Sequence, residues 1–312
     1  MGGAQRWERA KLARDDVTAA IVAFGPDAAL ITALVRQAAA EAGRVIVFAN
    51  SPLEPALAQA LAEAGAELIA APHNLGVAEA FNMCAANARA LGAKRLLLLD
   101  QDSEISEGLI AQLGAQLDAL EADGARPALI GPMIVSPPGG DYKAPRYFKR
   151  GGVAARDGAR PVQYVISSGS LIDLAAFEDV GPFRSEFFID AIDTEWCFRA
   201  WARGKSCWVA DDVRMVHRIG QGAIKSIGAR VPRQPDFRIY AFVRNQAYCL
   251  TLPHLPLWWK LRFFAHIGKV TLTSWAARGF RFSFIAIMAQ AFCAGLAGKL
   301  GPPPGAVNAG QV

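Results

Sequence analysis

Arg95-Leu96-Leu97-Leu98-Leu99-Asp100-Gln101-Asp102 is the stretch whose reading decides the fold. A continuous apolar run that stops abruptly at two acids is a strand buried on both faces, as in a parallel sheet covered by helices. The same pattern recurs upstream. Val17–Phe24 is a strand ended by Gly25-Pro26, Arg44–Ala49 a second before Asn50-Ser51-Pro52, and Glu67–Ala71 a third. Between them Asp27–Ala42, Glu54–Ala64 and Val77–Leu91 read as helices, with Asp27 as N-cap and Gly43 as stop. Strands alternating with helices predict an α/β fold with a doubly wound, mostly parallel sheet, whose ligands lie outside the carboxyl ends of the strands. Phe24-Gly25, Asn50-Ser51, His73-Asn74 and Asp100–Asp102 all fall just past strand ends, so one rim collects them.

Downstream the rhythm changes. From about Ala125 a stretch punctuated by Pro127, Pro132, Pro137, Pro138, Gly139, Gly140, Gly151 and Gly152 reads as loop-rich. Val162–Ile166 is expected to be a strand running into Ser167-Ser168-Gly169-Ser170. Asp193–Arg203 is a helix ended by Gly204, Ser206–Ala210 a strand, and Asp236–Leu250 a helix.

Among 312 residues, 53% are hydrophobic and 20% charged, with a formal charge of +5. That balance suits anionic partners such as nucleotide diphosphates or acidic lipid headgroups, and no nucleic-acid-binding signature accompanies it. Cys84, Cys197, Cys207, Cys249 and Cys293 form no CxxC pair, which argues against a zinc site or disulfide framework and fits a reducing compartment. Residues 1–16 lack the apolar segment of a secretory signal, so the expected location is the cytosol or a membrane facing it. Pro253–Leu300 interleaves Trp258-Trp259, Phe263-Phe264, Trp275, Phe280, Phe282 and Phe284 with Lys260, Arg262, Lys269, Arg278 and Arg281. Its longest uncharged stretch, Phe282–Gly298, is at the short limit for spanning a bilayer and contains Gln290. One or two amphipathic helices lying on a membrane surface account for this, and so does a helical pair packed on the core.

Two carboxylates directly after a buried strand, Asp100 and Asp102, have the chemistry to hold Mg²⁺ or Mn²⁺ with positions left for substrate phosphates. An Asx turn followed by the start of the Leu109–Leu120 helix reads the same letters differently. Phe187–Arg199 sets Asp190, Asp193 and Glu195 among large apolar side chains, where desolvation raises a carboxylate's pKa and improves it as a base. The plainer reading caps a helix with Asp193 and pairs Glu195 with Arg199 on an exposed face. His217, after the apolar run Val213–Val216, completes an oxygen/nitrogen metal shell or acts as a structural hydrogen bonder. Arg218, Lys225, Arg230 and Arg233 form a basic loop that closes over a diphosphate or is merely solvated. Asn74–Asn82 enters a helix whose N-terminus favours anions, or is simply an Asn cap with a turn glycine. Neither GxxxxGK[ST] nor GxGxxG occurs.

In their order along the chain, His73-Asn74-Leu75-Gly76-Val77-Ala78 with Asn82, Leu97–Ser103, Ile166–Ile172, Val180–Phe183, Phe188–Trp196 with Arg199, His217 with Gly220, and Arg244-Asn245 resemble the inverting GT-A glycosyltransferases of family two. Within that family the bacterial rhamnosyltransferases of surface-polysaccharide assembly are closest in motif, over roughly residues 17–300. The resemblance implies a nucleotide-binding half over 17–124 and an acceptor-binding half over 125–252. A 1–16 extension would precede them, with membrane-associating helices over 253–300 and a Pro/Gly-rich tail over 301–312. It implies Asp102 as metal ligand with Asp100 and His217, and Asp193 as general base with Glu195 and Asp190 orienting the acceptor. Phe24, Gly25, Asn50, Asn74, Gly76, Asn82, Asp100, Gln101, Ser168 and Gly169 would meet the nucleotide sugar. The implied donor is dTDP-rhamnose, the acceptor a lipid-linked saccharide, and the location peripheral on the inner face of the cell membrane; a homo-oligomer is compatible. A UDP-hexose or UDP-galactofuranose donor, or a non-catalytic nucleotide- or glycan-binding protein, are the alternatives. Asn50 stands where the family usually has an acid that reads the nucleobase, and Phe24-Gly25-Pro26 where it often has Tyr-Asn.

Overall fold

Leu96–Leu99 are fully buried in strand β4 (Arg95–Asp100), and alternate leucines look in opposite directions. Leu96 and Leu98 face one core with Ala20, Val22, Ile46 and Phe48; Leu97 and Leu99 face another with Ala19, Ile21, Val45 and Val47. Each such side chain contributes about 1.5–3 kcal/mol by leaving water, and burial on both faces is why these strands carry no polar alternation. The computed structural model describes residues 15–135, 145–217 and 223–306. Expectations for most of the 1–16 extension, for Pro137–Gly140, Arg218 and Gly220, and for the end of the tail lie outside those residues.

Strands β1 (Val17–Ala23), β2 (Arg44–Ala49), β3 (Ala66–Ala70) and β4 pair in parallel, with helices α1 (Ala28–Glu41), α2 (Pro55–Glu63) and α3 (Gly76–Ala90) as crossovers. Asp27 caps α1 as expected, its carboxylate accepting from the Ala29 and Leu30 amides. Beyond β4 come β5 (Ser103–Glu104), α4 (Leu109–Ala122), β6 (Pro127–Val135), β7 (Ala159–Pro161), β8 (Leu171–Asp173), α5 (Leu174–Val180), α6 (Ile192–Ala202) and β9 (Ser206–His217). The sheet runs β3-β2-β1-β4-β8-β6-β9-β5, with β7 also on β9. β8 is antiparallel to both β4 and β6, while β6 and β9 are parallel, so the second half is mixed.

Four expectations are corrected here. The stretch after Ala125 holds β6, a fully internal strand, where proline had suggested loop. Pro127 occupies its first position and Pro132 sits at a register shift against β9, the two places where a strand tolerates a missing N–H. Val162–Ile166 is not a strand. Val162 makes one bridge to Lys149, and the chain then turns through Ser167–Ser170, whose Gly169 N–H and Ser170 carbonyl bond both ways with Leu98. β9 is longer than Ser206–Ala210 and absorbs Val213–Val216. The basic stretch around Lys225 and Arg230 is a hairpin, β10 (Ala223–Ser226) and β11 (Ala229–Pro232), turning at Ile227-Gly228, both with positive φ.

Helix α7 (Asp236–Cys249) follows, then α8 (Leu257–Ala277) and α9 (Phe282–Leu296). α9 lies so close on α7 that a Cβ at Gly295 would strike the Arg244 carbonyl. α8 sends Trp259 and Phe263 into the main core and keeps Leu257, Trp258, Leu261, Phe264 and Leu272 exposed. One face of the region is therefore packed on the core, as the helical-pair reading expects, and the other is open. No helix among the described residues is long and apolar enough to cross a membrane.

Candidate active site

The chain reverses at Gln101 because Gln101 holds the neighbouring strand end. Its Oε1 accepts from the Phe24 amide at 2.6 Å and its Nε2 donates to the Phe24 carbonyl at 3.1 Å. The two residues after the turn form β5, where Ser103 pairs with His217 at the end of β9. That register sets Asp100 and Asp102 on either side of the imidazole. His217 Nε2 lies 3.4 Å from Asp100 Oδ2, and Nδ1 lies 4.0 Å from Asp102 Oδ1. One ligand atom from each of the three residues falls within 4.8 Å of the others, close enough to share one cation. His217 is 7% exposed, and its Nδ1 is buried with no hydrogen-bond partner among the described residues. A buried ring nitrogen without a partner is costly unless something else satisfies it. The donor set of two carboxylates and one imidazole fits a divalent ion. Asp100 and Asp102 would hold it from the rim and His217 from the sheet.

Ser167-Ser168 connects this cluster to the second one. Ser168 Oγ is buried, accepts from the Asp100 amide at 3.3 Å and lies 2.6 Å from Ser103 Oγ. The preceding Ser167 donates its amide to Asp193 Oδ2 at 3.3 Å. Asp193 Oδ1 accepts from the Thr194 amide at 2.7 Å. Burial pushes the Asp193 carboxyl up to about 6 in spite of those two amides, and Asp190 adds to the rise. Its carboxyl also borders a small, mainly apolar pocket with Ser167, Ser170, Phe183 and Trp196.

Glu195, expected to orient the acceptor, sits on the inward side of α6 with 0% exposure. Its Oε1 takes Arg184 Nε and Arg199 Nε at 3.1 Å, its Oε2 takes Arg199 Nη2 at 3.0 Å, and His254 Nε2 lies 3.0 Å from Oε1. Burial alone would raise its pKa, but His254 and the two arginines hold it down to about 2. The Glu195–Arg199 pair is real and is buried rather than exposed.

Asp190 belongs to a strained turn in which Phe188, Asp190 and Ala191 all have positive φ. Such backbone persists only where its surroundings impose it. Here Asn245 Nδ2 reaches the carbonyls of Phe187, Ile189 and Asp190 at 2.9, 2.7 and 3.1 Å, and Arg244 Nη2 donates to Phe187 at 3.2 Å. The Asp190 carboxylate faces Arg238, with Nε–Oδ2 3.3 Å and Nη2–Oδ1 3.4 Å. Gly76 abuts the same turn: its φ is +81° and a Cβ there would lie 2.5 Å from the Phe188 carbonyl.

The remaining expected residues divide between rim and support. Phe24, Gly25 and Asn74 stay partly open at the rim, with Gly25 donating to Ser51 Oγ at 2.9 Å and Asn74 Oδ1 accepting from Gly76 at 3.0 Å. Asn50 is buried and its Oδ1 accepts from Leu75 at 2.7 Å, so that oxygen supports the next loop. Asn82 is a staple from α3 to Phe183, bonding its amide and its carbonyl at 2.9 Å each. Gly169 (φ +84°) packs where a Cβ would press on Met215 and Pro132. Arg238, Ser167 and His254 carry contacts at this site that the motif reading did not single out. Arg238 was findable, since it precedes Asn245 by seven residues and so shares its helix face.

The chain is 30% identical over 253 residues to the dTDP-rhamnosyl transferase RfbF of Shigella flexneri, covering 79% of this chain and 84% of that protein. The chain belongs to the rhamnosyltransferase family. It is a glycosyltransferase with a nucleotide-sugar donor. No protein-family model matches the sequence. Among solved structures, this rhamnosyltransferase-family chain is similar to GalNAc-T7 with UDP, GalNAc and Mn²⁺ (TM-score 0.54, 14% identity, 81% of this chain, 54% of that one). It is also similar to Staphylococcus aureus TarS 1–349 in complex with UDP (TM-score 0.51, 14% identity, 81% and 70%). The chain thus spans about half of the GalNAc-T7 chain, and both likenesses are of fold, the GT-A fold.

Proposed function

We propose that the protein transfers L-rhamnose from dTDP-rhamnose to a lipid-linked saccharide, inverting the anomeric carbon, at the inner face of the cell membrane. The observation that carries this reading is the two-residue Ser167-Ser168 bridge. It ties the carboxyl with the raised pKa, Asp193, to the Asp100–Asp102–His217 cluster through adjacent backbone positions. A base and a diphosphate-binding cluster side by side are what single displacement at an anomeric carbon requires.

Asp193 would take the proton of the acceptor hydroxyl as its oxygen attacks the anomeric carbon. The bond from that carbon to the diphosphate breaks, with its electron pair leaving on the diphosphate oxygen. With a pKa near 6, Asp193 is largely ionised at neutral pH yet still a stronger base than an ordinary aspartate. Mg²⁺ or Mn²⁺ held by Asp100, Asp102 and His217 would supply neutralisation of the leaving diphosphate, and the imidazole favours Mn²⁺. Glu195 acts from the same helix as Asp193, pairing with Arg199 one turn on and with Arg184 from the preceding segment. The exposed aromatic side chains of α8 and α9, with Lys269 and Arg281 exposed as well, suit an anionic membrane surface, where a lipid-linked acceptor resides.

Transfer and donor hydrolysis across a panel of nucleotide sugars, with and without EDTA, test the reading. dTDP-rhamnose should be turned over fastest, and EDTA should abolish the reaction. A UDP-hexose or UDP-galactofuranose preferred over dTDP-rhamnose would overturn the donor, and activity indifferent to EDTA would overturn the metal. Asp193→Asn should lower turnover by about 10²–10⁴-fold while dTDP still binds.

A further inference from the structure

Arg238 stands in the first turn of α7, on the face that also carries Asn245 seven residues on, with Arg244 next to it in sequence. Those two grip the backbone of Phe187–Asp190, while Arg238 meets the Asp190 side chain with Nε and Nη2. A guanidinium has five N–H donors in a planar fork, and the Asp190 carboxylate engages only one edge of it. The side chain is 37% exposed, so its outer part is open to solvent. The carboxylates of Asp190, Asp100 and Asp102 all act on this one cation, Asp190 most strongly. Asp190 thus holds one edge of the guanidinium by direct contact, while Asp100 and Asp102 act on it through space.

Charge makes that position consequential. Two carboxylates and a divalent ion at Asp100–Asp102–His217 cancel, so an arriving nucleoside diphosphate brings negative charge the cluster does not offset. A planar, permanently charged fork is the side chain best suited to phosphate oxygens. We infer that Arg238 is a binding residue for the donor's diphosphate, held in position by Asp190, and that Asp190 serves the donor side of the reaction rather than the acceptor. The strained Phe188–Ala191 turn then has a purpose: it presents the Asp190 carboxylate to Arg238, and α7 fixes both partners at once. This inference rests on the nucleotide-sugar reading of the Asp100–Asp102–His217 cluster.

The test is calorimetric titration of dTDP into the full chain, with Mn²⁺ and with EDTA, for wild type, Asp102→Asn, Arg238→Ala, Arg238→Lys and Asp190→Asn. Circular dichroism melts confirm that each variant is folded. Arg238→Ala should weaken dTDP by about tenfold or more in Mn²⁺ and flatten the salt dependence of binding, with Arg238→Lys recovering part of both. Asp190→Asn should weaken dTDP as well, by less than Arg238→Ala, leaving the acceptor KM unchanged. Full-strength dTDP binding by folded Arg238→Ala, with Asp102→Asn impaired, overturns the inference and leaves the donor site standing. A raised acceptor KM in Asp190→Asn with dTDP affinity intact overturns the role given to Asp190. Absence of dTDP binding by wild type would instead sink the nucleotide-sugar reading itself.

Discussion

Asp193 and Glu195 lie two residues apart in one helix, and their surroundings drive them in opposite directions. Desolvation raises Asp193 from 3.8 to about 6, whereas His254, Arg199 and Arg184 hold Glu195 at about 2. As a base Asp193 works ionised, so kcat/KM should fall tenfold per unit as pH drops below about 6. A pH–rate profile showing no acid limb near that value would remove the role. The folded state disfavours the ionised form of a carboxyl whose pKa it raises, so this group's contribution to stability improves as pH falls from above 6 toward 3.8. Asp193→Asn should accordingly be at least as stable as wild type at pH 8. Glu195 carries the opposite sign. Its folded pKa is depressed, so its stabilisation is complete above about 4.5 and is lost as pH falls from there through about 2. Glu195→Gln strands buried positive charge and should cost about 3 kcal/mol in urea unfolding at pH 7, a gap that narrows below pH 4.5.

At the scale of elements, short pieces of backbone decide where the acids point. β5 is two residues long, yet pairing Ser103 with His217 is what brings a strand-end aspartate to a histidine more than a hundred residues away. The Phe188–Ala191 turn depends on α7 in the same way. Removing the Asn245 amide frees three carbonyls in a turn with three positive-φ side chains. Asn245→Ala is therefore expected to lose about 2 kcal/mol of stability and to show faster hydrogen exchange over residues 187–191, with a matching fall in kcat. Unchanged exchange there would show that α7 does not hold the turn. Elements also mark where sequence reading failed. Proline in Pro127–Val135 was read as loop because its cost in a ladder is paid locally, at a strand start and a register shift that only the neighbouring strand defines.

Over the whole molecule, the C-terminal helices are bound to the chemistry rather than appended to it. Trp259 of α8 packs edge-on against Phe148, Tyr164 and Phe198, the last on α6 with Asp193. The loop before α8 delivers His254 to Glu195. Outward, Trp258 and Phe264 are 61% exposed and Phe282 81%, and Lys269 and Arg281 are exposed as well. A Trp258→Ser, Phe264→Ser, Phe282→Ser variant should lose sedimentation with vesicles containing anionic lipid and keep its melting temperature. Wild-type binding should weaken as salt approaches about 1 M. Vesicle binding by the triple variant equal to wild type would refute a membrane role for this face.

The sequence by itself determined the first four strands and their helices, because buried parallel strands must be uniformly apolar and their helices announce themselves by caps and period. It also located Asp100, Asp102, Asp193 and His217 at the ends of elements that apolar patterning marks out. Only the tertiary structure decided what surrounds each of them. Glu195 and Asp193 differ in pKa through partners from distant segments, Asn50 and Asn82 became supports through loops they happen to face, and Arg238 meets Asp190 because α7 turns its first residues toward it. Local composition encodes burial and period; the field at a carboxylate is set by whichever charges the fold carries to within a few ångströms, and those come from anywhere in the chain.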